Sequence, residues 1–216
     1  MIIDTHTHLL DEKFSADREE VIENLARNGV CAIVENGTNI TDSKKAVLLA
    51  QSHKNIYAAV GIHPHDASTA TPEALKELKL LAKEAALPIV VHSREAAQET
   101  FDILKEENVK GEIHCFSASA QMAQEYVKRG FYIGIGGAVT FKNNKKTVEV
   151  AKAVPLEKIL LETDCPYMTP EPFRGKRNEP KYTFYAAKKI AEIKNIDVEE
   201  VISQTHKNAM EFFGIK

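Results

Sequence analysis

Short apolar runs alternate with amphipathic segments along the whole chain. Seven of these runs predict β-strands, and most are followed directly by a segment with the three-to-four-residue apolar spacing of a helix. The predicted strands are IIDTHTH, VCAIVENGT, IYAAVGIHPH, PIVVHS, GEIHCFS, FYIGIGG and KILLETDCP. Continuous apolar strands separated by helices predict a parallel sheet. The pattern fits both a closed (β/α) barrel and an open doubly wound sheet.

Residues that cap helices mark several of the predicted helix boundaries. Ser15 is expected to start the first helix and Gly29 to end it, and Thr71 is expected to start a helix over residues 71–87. Asp197 begins a capping-box pattern at the last helix. No glycine-rich phosphate loop follows a strand, so a nucleotide-binding wound sheet has no support in the sequence.

Composition limits the class of protein. The chain has 216 residues, 44% of them hydrophobic, which predicts a single domain over residues 1–216. A net charge of −3 argues against a generally basic polyanion binder, so any contact with nucleic acid should be local or carried by bound cations. Three cysteines without the spacing of a thiolate metal site indicate reduced thiols in a cytoplasmic protein. Asp4 and His6 interrupt the first apolar run, which argues against a signal peptide, and no run reaches the ~18 residues of a membrane span.

Histidines recur where predicted strands end. Six of the eight histidines have this position, namely His6, His8, His63, His65, His92 and His114. Asp164 has the same position on the last predicted strand. In a (β/α) barrel these strand ends converge on one face, where catalytic groups lie. The coincidence favours the barrel and predicts a metal site on that face.

The types of ligand indicate the chemistry. Imidazoles and carboxylates without thiolates suit Zn, Mn, Ni or Fe, and also Mg when water completes the shell. His6, His8 and Asp164 are expected to hold one ion, and His92 with His114 a second. Two ions ~3.5–4 Å apart would clamp the attacking and leaving oxygens of a hydrolysis, and Asp164 would accept the proton of the attacking water.

Several segments together resemble one known family. In chain order, DTHTHL, GIHPH, VVHSREA, HCFS, LLETDCPYMTP and RGKRNEP resemble the motifs of the TatD family of metal-dependent hydrolases, which belongs to the amidohydrolase-type barrels. The resemblance covers nearly the whole chain. It implies a TIM-type barrel, one or two divalent ions (Mg, Mn or Zn), and deoxyribonuclease activity on DNA ends or single strands.

The resemblance also implies roles for individual residues. The implied metal ligands are His6, His8, His92, His114 and Asp164. His63 resembles a pocket residue close to the substrate, and Arg174 and Asn178 become candidates for binding substrate. Arg94, which follows a proposed ligand directly, can reach the same pocket.

The chain departs from the family's pattern at one place. Family members carry a further strand of the form G-E-x-G-L-D-Y, whose Glu usually bridges two metals. Here a single helix over residues 71–87 joins His65 to His92, so a β/α unit is missing. We therefore expect a TIM-type barrel with seven strands instead of eight, incomplete or distorted, and a weakened second metal site. Glu95 and Glu162 are possible replacement ligands, and a supporting contact is the preferred interpretation for Glu162.

Three functions remain open from the sequence. The first is a TatD-like deoxyribonuclease acting on DNA or another nucleic acid, with activity weakened by the missing Glu. The second keeps the metal barrel but hydrolyses an amide or ester bond. The third is an impaired barrel that binds metal or nucleic acid without turnover.

Overall fold

The computed structural model describes residues 1–82 and 87–215. Seven strands and eight α-helices alternate along these residues. The strands are β1 (Ile2–Thr7), β2 (Val30–Asn36), β3 (Ile56–Ala59), β4 (Ile89–His92), β5 (Gly111–His114), β6 (Tyr132–Ile135) and β7 (Ile159–Leu161). The helices are α1 (Arg18–Glu23), α2 (Ile40–Ser52), α3 (Pro72–Leu81), α4 (Ala97–Leu104), α5 (Ala120–Lys128), α6 (Lys145–Ala153), α7 (Thr183–Lys194) and α8 (Val198–Phe213).

All strand pairs are parallel and follow chain order in two sheets, β1–β2–β3 and β4–β5–β6–β7. The segment that leaves β7 joins the two sheets. Cys165 forms a bridge with Thr7, and the N–H of Asp164 donates to the carbonyl of His6 at 2.9 Å. The seven strands thus form one arc in the order β4-β5-β6-β7-β1-β2-β3. The predicted seven-stranded, incomplete barrel is confirmed, and in the described part of the chain the arc is open between β3 and β4.

The core is deepest along the middle of the arc. Every residue of β5, β6 and β7 is buried, and Ile133, Ile159 and Leu161 form part of one large apolar cluster with helices α5 to α8. These strands are continuously apolar because both of their faces are covered. The site described below is therefore supported by the best-packed strands of the protein.

The opening is bordered by half-exposed elements. All four residues of β4 and three of the four in β3 are only partly buried. Helix α3 packs against α2 but buries none of its own residues, and Leu75 and Leu80 are 47% and 70% exposed. One further strand and its helix would cover these surfaces in a complete barrel.

Two predicted helix caps are confirmed and one is wrong. The side chains of Thr71 and Asp197 each accept a backbone N–H from the first turn of their helix. Helix α1, however, begins at Arg18 rather than at Ser15. Ser15 instead closes a 3₁₀ turn over Glu12–Phe14, because its own N–H is already bonded within that turn.

The end of the third predicted helix is described only in part. Helix α3 ends at Leu81. Residues 83–86 of the helix predicted over residues 71–87 lie outside the described residues.

All three cysteines are free thiols, as predicted. Among the described residues, no helix is both long enough and apolar enough to cross a bilayer.

The hydrogen bonds that β3 makes with the β2 side and β4 makes toward β5 show which of their N–H groups point into the opening. The carbonyl of Ala59 accepts a hydrogen bond from the β2 side, and the N–H of Ile89 donates toward β5. Because successive peptide groups of a strand point to opposite sides, the N–H groups of Ala58 and Val90 face the opening.

We predict that these two amides exchange with solvent at least ~100-fold faster than those of Tyr57 and Val91, which point the other way. Hydrogen exchange resolved by residue measures this, and Ile133 in the buried β6 serves as a protected reference. Equal protection of all four amides would contradict an open arc.

Candidate metal centre

The ends of the strands bring histidines together on one face. His6 belongs to β1, His92 ends β4 and His114 ends β5. The His6 ring stacks on that of His114 with 3.5 Å between centroids, and it lies 5.0 Å from the His8 ring and 5.3 Å from the His92 ring. His92 in turn contacts His63 at 4.5 Å. The predicted convergence of these imidazoles is confirmed.

His63 and His65 reach this face by a different route from the one predicted. The strand IYAAVGIHPH was expected to run to His65, but β3 ends at Ala59. The two histidines lie in the following segment, which turns into a 3₁₀ helix at Pro64–Thr69, because proline at the first helical position starts such a turn. Nδ1 of His63 accepts the N–H of His65 at 3.1 Å, so the hydrogen of the neutral ring is on Nε2.

Asp164 lies among the imidazoles. Its Oδ1 is 3.5 Å from Nε2 of His8, 3.7 Å from Nε2 of His114 and 4.0 Å from Nε2 of His6. Its backbone has φ +58°, in the left-handed region that non-glycine residues rarely occupy. The hydrogen bond from its N–H to β1 holds that conformation, and strain of this kind is concentrated at functional sites.

In the described part of the chain, three sets of three side chains have candidate ligand atoms within 4.8 Å of one another. They are His6 with His8 and Asp164, His6 with His92 and His114, and His114 with Cys115 and Glu162. Both ring nitrogens of His6 are buried without a hydrogen-bond partner. Buried polar atoms are almost always paired, because leaving them unpaired costs free energy. A divalent cation would pair one of these two nitrogens, so the residues present fit a metal centre.

Hydrogen bonds behind the imidazoles fix which nitrogen faces the centre. Nδ1 of His8 lies 2.9 Å from the carbonyl of Asn36, which can only accept, so His8 donates there and presents Nε2. Nδ1 of His114 lies 2.6 Å from Oε2 of Glu162, whose other oxygen accepts the N–H of Cys115 at 2.8 Å. Such contacts orient metal-binding histidines. The prediction that Glu162 supports a neighbouring residue is confirmed.

Two buried residues near the histidines have roles that the sequence reading missed. Glu112, fully buried two residues before His114 on β5, lies beside Glu162. Gly134 makes room for both acids, since a Cβ there would lie 2.5 Å from the nearest oxygen of Glu162 and 2.7 Å from that of Glu112. The sequence does contain a signal for Glu112. Side chains two residues apart along a strand lie on the same side, so Glu112 is expected on the same side of β5 as His114.

Asp4 on β1 makes a separate contact with the segment after β7. Its side chain accepts the Thr163 hydroxyl at 2.6 Å and the Thr163 N–H at 2.9 Å. Asp4 thereby fastens β1 to the segment that carries Asp164.

Burial and charge divide the protonation states of the cluster. Burial, reinforced by the neighbouring His114, lowers the pKa of His6 and lowers that of His92 to about 3, so both rings are neutral. Burial alone would also lower the pKa of His114, but the Glu162 carboxylate outweighs it and raises that pKa to about 10. For Asp164, burial is outweighed by hydrogen bonds from His114 and His8, which lower its pKa below the usual value.

The four residues predicted to bind substrate have different surroundings. Arg94 is exposed, and its charge acts on the Cys115 thiol beside His114. His63 is half-buried against His92. Arg174 is exposed and lies over the Phe141 ring.

Asn178, the fourth of these residues, is buried. Its side chain is 0% exposed and donates to the carbonyls of Thr163 and Tyr167, at 2.9 and 2.6 Å. Its oxygen accepts the N–H of Glu179. Asn178 is therefore occupied in holding the loop behind Asp164 and has no surface to offer a substrate.

Comparisons with known proteins agree with this geometry. A family model described as TatD related DNase matches residues 3–86 and 69–214. The metal-dependent hydrolase YabD of Bacillus subtilis is 41% identical over 254 positions, covering 100% of both chains. The 3'-5' ssDNA/RNA exonuclease TatD of Citrobacter rodentium is 29% identical, covering 99% of this chain and 98% of its own. The crystal structure of the TatD homologue YjjV from Escherichia coli superposes with a TM-score of 0.91 at 26% identity, covering 100% of this chain and 98% of that one.

The same comparisons locate the departure from the family. Both matched segments of the family model include residues 69–86, so this segment resembles the family at two places. The alignment with YabD spans 254 positions and this chain has 216 residues, so at least 38 positions have no counterpart here. A segment of that length fits one β/α unit, and the overlap lies where the arc of strands is open. With the family model, a 41% identical relative and the fold all in agreement, the chain belongs to the TatD family of metal-dependent hydrolases.

Proposed function

We propose that the protein is a divalent-metal-dependent phosphodiester hydrolase that acts on single-stranded nucleic acid. The observation that carries the proposal is the buried, unpartnered His6 ring surrounded by His8, His114 and Asp164. The Citrobacter relative, named as an exonuclease of single-stranded DNA and RNA, supports this choice of substrate.

We infer that one ion is bound per chain, held by His6, His8, His114 and Asp164. Two of the three sets of candidate ligands share His6 and the third shares His114 with one of them, so the sets compete for the same imidazoles. The bridging Glu expected from the family would lie on the missing strand. Three imidazoles and a carboxylate suit Zn or Mn. A cation bound there supplies Lewis acidity to water and to a phosphodiester.

The side chains at the rim then have separate tasks. Asp164 accepts a proton from the attacking water, as its lowered pKa keeps it ionised over the whole working range of pH. His63, next to His92, keeps its Nε2–H available, and a phosphate oxygen can accept it. Arg94, exposed beside the same strand end, offers its guanidinium to a phosphate.

The first test combines turnover with a count of bound metal. We expect His6→Ala and Asp164→Ala to reduce cleavage of a labelled single-stranded DNA by at least ~100-fold. The control His53→Ala removes a histidine that lies outside the cluster, beside Glu19, and should retain cleavage within about twofold. Metal analysis of the purified protein should find about one ion per chain.

Each outcome of this test has a defined meaning. Undiminished cleavage in both cluster variants would refute the assigned site. Bound metal without cleavage of single-stranded DNA, RNA, amide or ester substrates would identify the impaired barrel. Two ions per chain would contradict the inference that His6 is shared.

The second test removes the support behind one ligand. Glu162→Gln keeps the shape of the side chain but removes the charge and one acceptor from the pair that holds His114 and Cys115. We expect Zn or Mn affinity to fall roughly 10- to 100-fold, measured by calorimetry. Glu149→Gln, at an exposed position on α6, is the matched control. Unchanged affinity in a folded Glu162→Gln protein would show that the contact does not orient His114.

The third test follows metal affinity with pH. Without metal, the pKa of His114 is raised to about 10, so its ring is protonated at neutral pH and must lose that proton to bind a cation. Affinity should therefore rise with pH up to about 10, by as much as ~10-fold per pH unit for one proton released. Calorimetry in buffers of different ionisation enthalpy counts the protons. Affinity independent of pH between 6 and 9 would contradict His114 as a ligand.

A further inference from the structure

Five cations lie on the two segments that follow strands β6 and β7. The segment after β6, residues 137–146, carries Lys142, Lys145 and Lys146 and no acidic residue, while residues 168–176 after β7 carry Arg174 and Lys176 against one acid, Glu171. Five positive charges against one negative give a local charge of +4 in a chain whose net charge is −3. We call these five residues the basic track.

The two loops are joined to each other. The guanidinium of Arg174 lies 3.9 Å from the centroid of the Phe141 ring, and the N–H of Glu171 donates to the hydroxyl of Thr140 at 2.9 Å. Both loops leave the C-terminal ends of their strands, the same ends that carry the histidines. The second segment begins only a few residues after Asp164, so both segments start on the side of the barrel that carries the histidines.

The charges of the track are available to a ligand. All five side chains belong to exposed residues, and in the described part of the chain none of them pairs with a carboxylate. Their neighbours differ in this respect, since Arg177 pairs with Asp17 and Lys181 with Glu179. Arg174 is held in place by Phe141 and by a hydrogen bond to the Thr169 carbonyl, which orders its planar fork before anything binds.

Two cations of the track stand at the start of a helix. Five helices (α1, α2, α3, α4 and α8) have an acidic residue in their first turn, as the helix dipole favours. Helices α5, α6 and α7 have none, and α6 begins with Lys145 and Lys146. Cations at this end oppose the dipole, and a bound anion would offset that repulsion.

We propose that the basic track binds the phosphates of a single-stranded nucleic acid that extends beyond the metal centre. The inference rests on the proposed function, because the metal centre would act on the strand that the track holds. It predicts that the ligand is a polymer of several nucleotides rather than a mononucleotide. Each phosphate neutralised by a cation releases counterions, so binding through the track must weaken as salt rises.

The test measures binding without cleavage. Fluorescein-labelled oligothymidylates of 2, 6 and 12 nucleotides are titrated with the whole protein in EDTA, and anisotropy is followed. We expect affinity to increase with length. Affinity for the longest strand should fall roughly 100-fold between 50 and 200 mM NaCl if all five cations contact phosphate.

The variant that isolates the track is K145E/K146E. It should bind the 12-nucleotide strand at least ~10-fold more weakly and with a smaller dependence on salt. The substitution places acids at a helix N-terminus, where they are favourable, so the melting temperature should not fall and misfolding cannot explain a loss of binding. K188E/K207E makes the same change in net charge at exposed positions of α7 and α8 and should leave affinity unchanged.

The outcomes separate this inference from the proposed hydrolysis. If the strand binds as expected but is not cleaved when metal is restored, the track stands and the hydrolase proposal fails. If the strand is cleaved but K145E/K146E binds it like the original protein, the track is wrong and the hydrolase proposal stands. Competition by a polyglutamate peptide as strong as that by oligothymidylate would overturn the choice of nucleic acid in favour of an acidic protein segment.

Discussion

The contact between β1 and the segment leaving β7 is the constraint on which the site depends. It joins the first strand to the last through the Asp164 N–H and the His6 carbonyl, and through the Asp4 carboxylate and Thr163. Without it the seven strands would be two separate sheets. With it, a carboxylate from the end of the chain lies within 4.0 Å of imidazoles from its beginning.

The position of this contact explains how the fold can lack a β/α unit and still gather its ligands. The opening lies between β3 and β4, at the two ends of the arc, whereas β1 and β7 lie in its middle. His6, His8 and Asp164 therefore come from packed strands or from loops directly attached to them. His92 is the exception, because it ends the half-exposed β4 at the border of the opening. The missing β/α unit should therefore disturb His92 and leave His6, His8 and Asp164 in place.

Sequence patterns predicted the parallel strands and the histidines because both are local signals that repeat. His92 and His114 end their strands as expected, and convergence of those ends is a general property of barrels. The burial of Asn178 could not be predicted, because it depends on how the loop after Asp164 folds back on itself, which no local pattern records.

Charge in the site is arranged in layers, and this arrangement argues for a cation at the level of the imidazoles. Glu112 and Glu162 are completely buried beneath His114, and burial, followed by the negative charge of Glu162, raises the pKa of Glu112 well above its usual value. Asp164 lies on the other side of the same ring. The raised pKa leaves Glu112 protonated, and Glu162 is already paired with His114, so Asp164 and His6 are the groups left for a cation. A divalent cation held by them would balance the charge of Asp164 and would pair one of the two free nitrogens of His6.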